Sequence, residues 1–105
     1  MMDTKTDEAV RKLLDLKKLR LPKRPRVVDL HYKTGPDWSG DPSVHVWLIL
    51  DDATPEEDRT FERLEPARER VREVVRASDL GLIPYVMIRT RSEQTALDAG
   101  TYYAT

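Results

Sequence analysis

Cysteine is absent from the 105 residues. That removes disulfides, thiolate nucleophiles and sulfur-ligated zinc sites. A secreted domain this small often relies on disulfides, so their absence favours a reducing, cytoplasmic setting. No apolar run approaches the ~20 residues needed to span a bilayer. The opening MMDTKTDEAVRKLLDLKK has no apolar signal core, so no standard signal peptide is expected. Glycine is scarce, at four residues, and aromatics make up 7%. A phosphate-cradling glycine loop, a Gly-x-Ser-x-Gly elbow and a His-Glu-x-x-His metal motif are all missing. Neither an internal repeat nor a low-complexity tract occurs.

What is present suits one domain spanning 1–105. Hydrophobic residues make up 39% and charged residues 35%, which implies a thin core under a heavily charged surface. The net charge of −1 is unevenly spread. Residues 1–26 hold nine Lys/Arg and four Asp/Glu, whereas residues 27–105 hold nine and fifteen. A basic segment beside an acidic body either packs against acids of its own or a twin chain, or reaches a nucleic acid. The first is preferred, because four acids already dilute the patch. Lys12, Lys17, Lys18, Lys23 and Arg24 are the residues a nucleic acid would use.

The pattern predicts α-β-β-α-β order, an α+β fold with a three-stranded sheet and helices on one face. A first helix is expected over 6–20, from the apolar stripe through Val10, Leu13, Leu14, Leu16 and Leu19, ended by Pro22 and Pro25. Strands are expected over 26–33 and 44–50, joined by the turn-rich loop 34–43 as a hairpin. Thr54-Pro55-Glu56-Glu57 reads as a capping box opening a helix over 55–77, kinked or split at Pro66. The third strand is expected over 83–91, beside either earlier strand. Ser92 to Asp98 reads as a single helical turn, and 99–105 as a tail.

Alternation assigns the faces. Val28, Leu30 and Tyr32 should meet Val44, Val46 and Leu48 on the core side. Pairing numbers that sum to 76 would set Asp29 opposite Trp47 and His31 opposite His45. The other face would then carry Trp47, Ile49, Tyr85 and Met87, with Arg89 outside as well. Large apolar side chains there imply a cover. The reading adopted is a second copy of the chain, a homodimer. Its own N-terminal helix or tail, or a ligand or nucleic acid on stacking aromatics, are the competing covers.

His31 and His45, paired across the hairpin with Asp29 nearby, are candidate metal ligands or proton shuttles. Asp37, Asp41, Asp51 and Asp52 match no calcium-loop spacing and read as turn residues. No catalytic residue and no cofactor is assigned. The element order resembles KH-like RNA-binding proteins, including ribosome-binding factor A, in topology. The Gly-x-x-Gly of that family is missing, since 54–80 contains no glycine. Asp37 to Trp47 (D-x-S-G-D-P-x-V-x-V-W) and residues 83–90 (IPYVMIRT) resemble a family of small uncharacterised bacterial proteins, over about half the chain. Three function classes follow. The first is a non-enzymatic, self-associating interaction module, regulatory or belonging to a toxin–antitoxin-like operon. The second is a KH-like RNA-associated protein using the basic segment, and the third a small metal-assisted enzyme. No membrane partner is expected.

Overall fold

The computed structural model describes residues 4–99, with side chains from Thr6 onward. The tail expected over 99–105 therefore lies outside the described residues, apart from Ala99. The order is α1 (Thr4–Leu13), α2 (Leu16–Leu19), β1 (Val27–Pro36), β2 (Pro42–Leu50), α3 (Phe61–Arg76), β3 (Ile83–Thr90) and α4 (Arg91–Asp98). The fold is α+β, with one mixed sheet of order β1-β2-β3. β1 pairs antiparallel with β2, and β3 runs parallel to β2 on its other side. No described helix is long and apolar enough to cross a membrane.

The N-terminal helix is two helices rather than one over 6–20. The Asp15 side chain accepts the backbone N–H of Lys17 at 2.9 Å and so caps a new helix. The sequence stripe is unaffected: Val10, Leu14 and Leu19 are all buried. They join Val44, Val46 and Leu48 of β2, Ala67, Val71 and Val75 of α3, and Leu82 in one core. Leu30 and Tyr32 pack against it as expected. From the start of β1 it is Val27, not Val28, that does so, because the register slips between Val27 and Asp29.

The hairpin is longer than expected. Strand pairing continues to Pro36 and Pro42, and only residues 37–41 turn. The Asp37 carboxylate accepts the backbone N–H of Ser39 at 2.8 Å and of Asp41 at 3.0 Å. Gly40 takes φ +86° there, a conformation open to glycine without strain. Ser43 is buried and donates its hydroxyl to the Gly35 carbonyl at 2.8 Å, bracing the last rungs.

The second helical segment also starts late. Residues Glu56–Asp58 form a 3₁₀ turn, and α3 begins only at Phe61 with Thr60 as its cap. Thr54 does not cap a helix; its hydroxyl donates to the Asp51 carbonyl at 2.6 Å. The interruption lies at Arg59-Thr60, before Pro66, and α3 runs through Pro66 as one element. Pro66 is the sixth residue of α3, and the N–H it lacks is the one that would have bonded the Glu62 carbonyl. On the outer face of α3, Arg72 binds Glu65 and Glu69, and Arg76 lies 3.7 Å from Glu69. These pairs offset the like charges that Glu65 and Glu69 place at i, i+4. After β3, the single turn expected at 92–98 is a full helix, α4, opened by a capping box between Thr90 and Glu93.

Candidate functional site on the open face of the sheet

The core sits on one face of the sheet. On the other, the two registers place nine side chains in a three-by-three grid. Its first row is Lys33, His45 and Tyr85; its second is His31, Trp47 and Met87; its third is Asp29, Ile49 and Arg89. The hairpin pairs with numbers summing to 78 rather than 76. His31 therefore lies opposite Trp47, and His45 opposite Lys33. The hairpin centres on Ser39, one residue later than the centre at Trp38 that a sum of 76 implies.

The grid is ordered by stacking. The His45 and Tyr85 rings lie 4.9 Å apart and within 17° of parallel, and His45 and Trp47 are 6.3 Å apart. The Arg89 guanidinium lies over Trp47, 4.8 Å from the ring centre. Arg89 is held from α4, where it donates to Gln94 Oε1 at 3.1 Å. The rings thus stand like books on a shelf. Trp47 has His45 and Arg89 as ring neighbours. Beside this row, Lys33, Thr34, Gly35, Pro36, His45 and Trp47 line a shallow groove of about 280 Å³.

Two carboxylates frame the grid. Tyr85 donates its hydroxyl to Asp37 Oδ2 at 2.8 Å, tying β3 to the hairpin turn. That bond holds the Asp37 carboxyl below the usual carboxylate range and raises the Tyr85 phenol. At the opposite end, Asp29 Oδ2 lies 3.3 Å from His31 Nε2. Of the four residues expected on this face, Trp47, Tyr85 and Met87 are half-buried. Ile49 is buried, in the region where α4 lies against β2 and β3.

The metal candidates are not brought into one cluster. His31 and Asp29 are neighbours, but His45 sits between Tyr85 and Trp47. Among the described residues no three His, Cys, Asp or Glu side chains converge as a metal site. The nucleic-acid candidates divide. Arg24 donates to the buried Asp58 at 3.0 Å and is a structural tie. Lys12, Lys17, Lys18 and Lys23 are exposed, and no described carboxylate lies within 4.0 Å of them.

Sequence reasoning did not assign Lys33 or the Asp37–Tyr85 link to this face. Lys33 has the same strand parity as His31 and was recoverable from alternation alone. The Asp37–Tyr85 bond spans 48 residues and needs the fold. Comparison with family models, curated proteins and solved structures finds no match to this chain.

Proposed function

We propose that this protein is a non-enzymatic interaction module that self-associates through the open face of its sheet, centred on Trp47. One observation carries the reading: the charges at the grid's corners are self-complementary. By strand position Lys33 and Arg89 occupy one diagonal, the Arg89 guanidinium reaching in over Trp47, and Asp29 and the Tyr85-bound Asp37 occupy the other. A two-fold axis lying in the face and passing through Trp47 lays one copy over the other. Whether that axis runs along the strands or across them, the strand position of each cation comes over that of an anion, and the Trp47–Arg89 pair meets its twin. The stacked rings support a protein partner over a nucleic acid, which needs free aromatic faces to receive bases. A half-buried tryptophan at the centre of such a patch is the residue type that most often dominates binding energy.

Sedimentation of the wild type and of Trp47→Glu tests the proposal. The wild type should sediment as a dimer, and Trp47→Glu as a folded monomer with unchanged far-UV circular dichroism, because the core face is untouched. Glutamate can pair with Arg89 and leaves the monomer's surface satisfied. A wild type that remains monomeric at its highest soluble concentration, or a Trp47→Glu variant that still dimerises, overturns the reading.

A further inference from the structure

A second surface, distant in sequence from the grid, is built differently. Where α2 passes into β1, Leu16, Leu21, Pro22 and Val27 floor a groove of about 390 Å³, and Arg20, Lys23 and Arg26 complete its lining. Its cations are all exposed. No described carboxylate lies within 4.0 Å of any of them. This is not a shortage of acids, since residues 27–105 carry fifteen. The nearby Glu69 and Glu73 border the adjoining hollow with Arg20 and Pro22. Both are engaged by arginines of α3, namely Arg72, Arg76 and Arg70. Among the described residues the fold thus leaves three cations without a carboxylate partner around an apolar floor.

The groove is also held open from both ends. Leu19 is buried, and its carbonyl accepts Arg70 Nε at 2.8 Å. On the other side Arg24 is tied to Asp58 and Pro25 is buried. Between these anchors the backbone of 20–23 is displayed with Arg20 in the left-handed region, at φ 53°. The backbone on either side is already anchored, which lowers the ordering cost of binding.

We infer that this groove docks a short, extended peptide segment of a partner protein in which Asp or Glu alternates with aliphatic residues. The aliphatic floor takes the apolar side chains and the cationic lining takes the carboxylates, with Arg suited to bidentate pairing. A nucleic acid fits less well on two counts. No aromatic residue among the described ones lines the groove to stack a base. A long polyanion would also run on past the three cations over an acidic body, whereas a short peptide places its charge only where the cations are.

The test is fluorescence anisotropy with a labelled peptide alternating Glu and Leu. Controls are the same peptide with Lys for Glu, and a single-stranded oligouridylate. The Glu peptide should bind the wild type, bind more weakly as salt rises, and lose roughly tenfold or more in affinity on Arg20→Glu/Lys23→Glu/Arg26→Glu. The Lys peptide should bind that variant instead. Lys23→Gln/Arg26→Gln, at two exposed positions, gives the same reading should the triple reversal fail to fold. Trp47→Glu should bind the peptide as the wild type does, so the outcome is independent of dimer formation. Absence of Glu-peptide binding, binding indifferent to both groove variants, or tighter binding of oligouridylate than of the peptide overturns the inference.

Discussion

Removing Arg24 is the sharpest test of how the basic segment is held. The Asp58 side chain is 6% exposed. Its carboxylate receives Arg24 Nη2 at 3.0 Å and Nε at 3.3 Å, from 34 residues away in sequence. In Arg24→Ala that carboxylate keeps its burial and loses its cation. Breaking a fully buried ion pair costs about 3–5 kcal/mol. The Arg24 side chain, however, is 62% exposed, so water reaches the vacated position and screens the loss. A hydrogen bond to a charged group contributes about 1.5–3 kcal/mol, and this range is the expected destabilisation. At about 4–8 °C per kcal/mol for a domain of this size, the melting temperature should fall by about 6–24 °C. Circular dichroism melts at a fixed low protein concentration keep any dimerisation out of the comparison. Asp58→Ala and the double variant complete a cycle in which the two changes should couple by about 1 kcal/mol or more. An Arg24→Ala melt within about 1 °C of the wild type, or additivity in the cycle, would refute the tie and with it the prebuilt groove.

Two further outcomes follow from the two sides of the sheet. Leu48, wholly buried beside Val71 and Val75 in the core, should cost about 2–5 kcal/mol on Leu48→Ala in urea titrations; a loss below about 1 kcal/mol would mean the helices do not pack there. Stability should also depend on pH. The Tyr85 hydroxyl holds the Asp37 carboxyl below its usual range, and the Ser92 hydroxyl and backbone N–H do the same for Asp52. A folded-state pKa below the unfolded one contributes stability that is present above about pH 4 and is lost as pH falls through the lower folded values. Tyr85 runs the other way: raised chiefly by Asp37, its contribution is present below about pH 10 and is lost as pH rises through its higher folded value. Urea midpoints against pH should therefore fall at both extremes, and the acid limb should flatten in Asp37→Asn/Asp52→Asn. An acid limb identical to that of the wild type would count against both bonds.

The element order, the core stripe of the N-terminal helices, and the two faces of β2 were legible in the chain itself. The reason is that period 3.6 and period 2 are local properties, and side-chain polarity reports them directly. Val44, Val46 and Leu48 against His45 and Trp47 is such a case. Boundaries were less legible. Asp15, Thr60 and Asp37 each redirect the backbone through one side-chain oxygen, and several polar residues nearby offered the same bond.

Everything that depends on two distant segments waited for the fold. Parity in the hairpin follows from alternation, but its absolute register, which separated His31 from His45 and set His31 opposite Trp47, depends on how the turn closes. The place of β3 beside β2 could not be read from either strand alone, because both neighbours satisfy the same hydrophobic pattern. Likewise, a lysine or arginine looks the same in sequence whether it ends at a buried Asp58, as Arg24 does, or lines a groove with no described carboxylate within 4.0 Å, as Arg20, Lys23 and Arg26 do. Charge is a property of the residue, whereas compensation of charge is a property of the neighbours that folding brings within a few ångströms.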